Sequence, residues 1–141
     1  MPKPGHIIII EDDQDDTEIL TEIMSQLNVE NKIICFDNCD EAFAYLRKSK
    51  DSIFFIISDI NLPKKTGLEL KHDIDKDPVL RKKSIPFILY STAAIAKDVD
   101  DAYANLNIQG FFKKECDYNL IKKNIKIILD YWSVCLKPGL Y

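Results

Sequence analysis

Only two histidines, His6 and His72, and one tryptophan, Trp132, occur in the 141 residues. Neither histidine stands near a cysteine in the sequence, which argues against a zinc site of mixed Cys and His ligands. The four cysteines, Cys35, Cys39, Cys116 and Cys135, form no CxxC pair. They read as free, mostly buried thiols of a reducing compartment. No apolar run is long enough to cross a bilayer. The apolar residues 7–10 are too few for the core of a signal peptide and end at once in acids. Together these absences lead to an expected cytoplasmic location. Glycine and proline are scarce, at 4 and 6, and no linker, repeat or low-complexity tract breaks the chain. There is no block of basic residues and the formal net charge is −4. Neither nucleic acid nor a membrane surface is therefore an expected partner. Lys113, Lys114, Lys122, Lys123 and Lys126 make the last third locally basic, and the last three read as a solvated helix face.

What the chain does have is a regular alternation. Short apolar runs at residues 6–10, 32–36, 53–57, 86–90 and 110–112 read as strands. The third run, rich in Ile and Phe, suits a strand buried on both faces. Between the runs lie segments of helical spacing. Ile19, Leu20, Ile23, Met24 and Leu27 mark the first, and Ala42, Phe43 and Leu46 the second. The third begins at Leu68 and Leu70 and is charged over residues 71–77. Pro78 ends it or starts the next turn, and residues 81–84 read as a polar loop. A weak helix over residues 97–106 has only Val99, Ala102, Tyr103 and Leu106 as apolar content, which marks a mobile or exposed element. The last helix, opened by Asp117 or Asn119, carries Leu120, Ile121, Ile125, Ile128, Leu129 and Trp132. Five βα units imply a single α/β domain with a parallel sheet covered on both faces. Right-handed crossovers leave two or three possible windings.

In such a sheet all strand ends share one edge, where ligands bind. That edge collects Glu11, Asp12 and Asp13 from the first strand, and Asp59 from the third. The fourth adds Ser91 and Thr92, and the fifth Lys113 and Lys114. Carboxylates without nearby imidazole or thiolate suit a hard cation such as Mg²⁺. A hydroxyl and an ammonium are donors matched to phosphoryl oxygens, and a carboxylate can be the nucleophile that forms an aspartyl phosphate. The set reads as Mg²⁺-assisted phosphoryl transfer to an Asp. Taken singly, each piece has a plainer use. Asp59 alone reads as a cap or loop acid. Asp13, Asp15 and Asp16 read as capping or solvated acids, Thr92 as a loop hydroxyl, and Tyr131 and Trp132 as packing residues.

At these residues the chain resembles the receiver domain of two-component response regulators, over essentially its whole length. IIIIEDD is similar to the acidic pair of the first receiver strand, and SDINLPKKTG to the phosphoacceptor loop, D-x-x-x-P with Gly eight residues after the Asp. PFILYSTA is similar to the switch strand and GFFKK to the fifth strand. The resemblance implies a flavodoxin-like (βα)5 fold of strand order 2-1-3-4-5. It implies Asp59 as phosphoacceptor, with Mg²⁺ held by Asp12, Asp59 and the backbone carbonyl of Asn61, and Glu11 as an outer-sphere acid. Ser91 is the implied switch hydroxyl, Phe111 the switch aromatic and Lys114 the phosphoryl-binding lysine. One residue departs from the pattern. Receivers usually carry Pro after that lysine, commonly with a cis bond, whereas Glu115 follows Lys114 here. A cis bond before a non-proline residue costs about 3–4 kcal/mol, so the loop is expected to run trans or to hold strain. Lys113 is expected to point to the opposite face of the strand.

The expectation is thus a stand-alone receiver spanning residues 1–141 with no output domain, and not an enzyme. Its donor is a phosphohistidine on a sensor histidine kinase or histidine phosphotransferase. Its signal leaves by phosphorelay or by docking of a protein partner, or of a second copy, on the face of the fourth helix, fifth strand and last helix. An aspartyl-nucleophile phosphatase is the enzyme alternative; Asn61 stands where such enzymes carry a second Asp as general acid, and Asp59 lies on the third strand rather than the first. A flavodoxin-like flavin carrier is the other alternative, and the acids at residues 11–13 would repel the flavin phosphate. Leu136, Leu140 and Tyr141 are expected to pack on the domain or on a second copy.

Overall fold

The computed structural model describes residues 5–92 and 96–136. Strands β1 (His6–Ile10), β2 (Ile33–Phe36), β3 (Ile53–Ser58), β4 (Phe87–Ser91) and β5 (Gly110–Lys113) form one parallel sheet in the order β2-β1-β3-β4-β5. Helices α1 (Gln14–Gln26), α2 (Cys39–Lys48), α3 (Gly67–Lys76), α4 (Pro78–Lys83), α5 (Ala96–Asn105) and α6 (Tyr118–Val134) connect and follow the strands.

Alternation along each strand splits the core in two. Ile8, Ile10, Ile56 and Leu89 face one side, packed with Ala42 and Leu46 of α2, Leu70 and Ile74 of α3, Leu80 of α4 and Ala102 of α5. Ile7, Ile9, Phe55, Ile57, Ile88 and Tyr90 face the other, packed with Leu20, Ile23 and Met24 of α1 and Ile121, Ile125 and Ile128 of α6. All six residues of β3 are buried, as a central strand covered on both faces requires. The caps fix where helices begin. Asp13 accepts from the amides of Asp15 and Asp16, Asn38 from Glu41, and Asp117 from Asn119. Thr66 and Glu69 form a reciprocal capping box at the start of α3.

Two expectations are corrected. The segment after the third helix is not a loop: α4 runs through the lysine-rich residues, because Asp77 caps it through the amides of Val79 and Leu80 and Pro78 occupies its first turn. Lys83 then donates to the carbonyls of Leu46 and Ser49 at 2.8 and 2.9 Å, and Arg47 pairs with Asp77, so α4 is stapled to the end of α2. The cysteines are free but not mostly buried: Cys39 is buried, Cys135 half-buried, and Cys35 and Cys116 exposed. Leu136 does not pack on its own domain, being 73% exposed in the single chain. Leu140 and Tyr141 lie outside the described residues.

Candidate functional site

The sheet's backbone ladder continues one residue past the strands and sets the site. Glu11 N–H donates to Phe36 O, Asp59 N–H to Ile10 O, and Lys114 N–H to Ser91 O, at 2.9, 2.9 and 3.0 Å. Each of these residues therefore keeps its strand's alternation. Glu11 follows Ile9, Asp59 follows Ile57 and Lys114 follows Phe112, all of which face α1 and α6. Three charged side chains consequently converge on one side of the sheet edge. Lys113 takes the opposite direction and is exposed, as expected of its strand position.

Lys114 Nζ donates to Asp59 Oδ2 at 3.0 Å, to Asp16 Oδ2 at 2.9 Å and to Glu11 Oε1. It also lies 5.7 Å from the centroid of the Tyr90 ring. Lys114, Glu11 and Asp59 are all buried. Burial alone would lower the Lys114 pKa, but its hydrogen bonds to Glu11, Asp16 and Asp59 outweigh that and raise it, so the ammonium is held charged. Burial pushes the Glu11 carboxyl up to about 7; the Lys114 hydrogen bond opposes this and the neighbouring Asp59 charge adds to it. A single ammonium cannot neutralise three carboxylates at once, and the site retains excess negative charge.

Asp59 is further fixed on its other oxygen, where Oδ1 accepts from Ile60 N at 2.7 Å and from Asn61 N at 3.4 Å. Its carbonyl accepts from Ser58 Oγ at 2.9 Å. Gly67 crosses directly over this carbonyl: a Cβ there would lie 2.1 Å from Asp59 O. Only a residue without a side chain allows α3 to start so close to the Asp59 backbone. Ligand oxygens of Glu11, Asp12 and Asp59 lie within 4.8 Å of one another, a spacing that can hold a metal ion. Asp12 is the exposed member of this trio. It borders an open cleft that Asp37, Asp40 and Lys64 also line. Oxygen-only ligands in an acidic cluster suit a hard divalent cation. Asn61 is exposed beside Asp59.

Ser91 and Phe111 lie on the other side of the edge. The register pairs Leu89 with Phe111 and Ser91 with Lys113. Ser91 is buried, and Phe111 packs against the core beneath α2, α3 and α5. Thr92 is exposed. No peptide bond among the described residues is cis. The sequence reading missed Asp16. Its place in the first turn of a helix suggests a capping or solvated acid, yet the carboxylate reaches Lys114, 98 positions along the chain. Nothing local announces such a contact.

Comparison with known proteins follows the same lines. The family of the response regulator receiver domain matches residues 7–126. Response regulator Rcp1 of Synechocystis sp. is 25% identical, over 92% of this chain and 89% of its own length. The 3′,5′-cyclic-nucleotide phosphodiesterase regA of Dictyostelium discoideum is 30% identical over 91% of this chain, which spans only 16% of that protein. Among solved structures, the phosphorylated cyanobacterial phytochrome response regulator RcpA superposes with a TM-score of 0.86 at 27% identity, covering 96% of this chain and 99% of its own. The Mn²⁺-bound form of Rcp1 superposes with a TM-score of 0.81 at 24% identity, covering 95% of this chain and 98% of its own, and shows the shared fold.

Proposed function

The chain belongs to the response regulator receiver domain family, and from that premise we propose that it is a phosphorylation-controlled switch with Asp59 as its phosphoacceptor. The observation that carries this reading is the pairing of Asp59 Oδ2 with the buried Lys114 ammonium at 3.0 Å. One oxygen of Asp59 attacks the phosphorus of a phosphohistidine. The P–N bond breaks, its electron pair returns to the imidazole nitrogen, which takes up a proton, and an acyl phosphate forms. Lys114 and Ser91 donate to the oxygens of the transferred group. Asp12, Asp59 and the backbone carbonyl of Asn61 would hold Mg²⁺, with Glu11 as an outer-sphere acid; the ion would neutralise charge on the transferring phosphoryl group. The acid cluster and its excess negative charge support that assignment.

The donor is a sensor histidine kinase or a histidine phosphotransferase, and the protein works in the cytoplasm as a switch rather than as an enzyme. No helix among the described residues is long and apolar enough to cross a membrane. Ser91 follows the phosphoryl group and Phe111 turns into the space behind it, shifting α5. The output face comprises α5, β5 and α6, where Tyr103, Leu120, Ile127 and Tyr131 are exposed. A protein partner or a second copy of the chain docks there. The test is incubation with acetyl phosphate, with and without Mg²⁺, read by intact mass. Wild type gains one phosphoryl group only with Mg²⁺, and Asp59→Asn gains none. Equal labelling of the two proteins refutes the assignment.

A further inference from the structure

Asp16 occupies the third position of α1, from which a Glu or Gln can reach back to the N-cap amide. That amide, of Asp13, here donates to Glu11 Oε2 at 3.3 Å. Among the described residues the hydrogen-bond partner of the Asp16 carboxylate is Lys114, at 2.9 Å. Its side chain is 36% exposed, against 2% for Glu11 and 9% for Asp59. Glu11 and Asp59 thus hold the ammonium from the floor of the cleft, and Asp16 holds it from the rim. An ammonium has three N–H donors, and these three carboxylates use all of them.

We propose that Asp16 is a positioning residue that restrains Lys114 in the unmodified state and opposes its engagement with a phosphoryl group on Asp59. The inference rests on Asp59 being the phosphoacceptor. For Lys114 to donate to a phosphoryl oxygen, one of its three present bonds must break. The rim bond is the one that yields: Asp16 is the most exposed of the three partners, and its charge faces the incoming anion. Competition for the ammonium and repulsion of the anion act in the same direction, so Asp16 makes the modified state harder to reach. Removing a residue that contacts the site should therefore strengthen the site's grip on a phosphoryl group. A merely structural role for Asp16 has the opposite sign.

The experiment is calorimetric titration of the full chain with beryllium fluoride at saturating Mg²⁺, comparing wild type, Asp16→Asn and Asp16→Glu, with a thermal melt of each to establish folding. Asp16→Asn is expected to bind about tenfold more tightly, within a range of roughly 3- to 30-fold for a charge a few ångströms away at a partly exposed site. The gain should shrink as salt is raised. Asp16→Glu, which keeps the charge, is expected to stay within about threefold of wild type. A folded Asp16→Asn that binds equally or more weakly overturns the proposal while leaving Asp59 as acceptor. Absence of binding by wild type overturns the acceptor assignment, and the role of Asp16 with it.

Discussion

The two sides of the sheet edge hold the site in different ways. On the α1 and α6 side, Lys114 is gripped by three carboxylates, and Asp59 is fixed on both of its oxygens. On the α2, α3 and α5 side, Ser91 and Phe111 sit beneath a helix with little anchorage. Ala102 is the one buried residue among the described side chains of α5, while Tyr103 is 56% exposed. The first side is an electrostatic lock: moving Glu11, Asp59 or Lys114 strands a buried charge, and Asp16 at the rim is the member that can yield. The second side costs little to rearrange. A switch needs both: a fixed place for the chemistry and a soft element whose equilibrium that chemistry biases.

The largest effect that sharpens this contrast falls on Lys114. Lys114→Ala should weaken beryllium fluoride binding about 10- to 100-fold, the worth of one charge-assisted hydrogen bond to a phosphoryl analogue. Calorimetric titration measures it, and a variant with wild-type affinity would remove the lysine from the lock. Next comes Gly67→Ala, whose methyl would meet the Asp59 carbonyl. Such overpacking should lower unfolding stability by about 1–3 kcal/mol or more, read from denaturant melts, and should slow labelling of Asp59 because its loop must shift. Full stability in that variant would mean that the Asp59 loop is less rigid than the lock requires. The smallest effect belongs to Lys113→Ala. Its side chain points away from the cleft, and binding should stay within about twofold of wild type. If this neighbour proves the damaging change, the strand parity assigned to the fifth strand is wrong.

Much of this was legible in the sequence because strands covered on both faces are short apolar runs, and the polar residues that face the cleft follow directly on the first, third and fifth of them. The order β2-β1-β3-β4-β5 came from family resemblance, since alternation alone allows several windings. Asp59, Glu11 and Lys114 were readable because each ends a strand. α4 was not read, although Asp77 followed by Pro78 is a start signal for a helix; the three cations at residues 81–83 suggested a solvated loop instead. Asp16 was hidden for another reason. An acid in the first turn of a helix has a sufficient local explanation in the helix dipole, and only the fold brings α1 and β5 together.

Modification of the locked side should move the soft side. Amide hydrogen exchange, with and without beryllium fluoride and Mg²⁺, tests it most directly. Altered protection is expected at residues 102–106, at Phe111 and along the exposed face of α6, as well as in the loop after Asp59. Changes confined to the Asp59 loop, with none at residues 102–106 or at Phe111, would contradict the account, because the lock would then close without reaching the surface that signals.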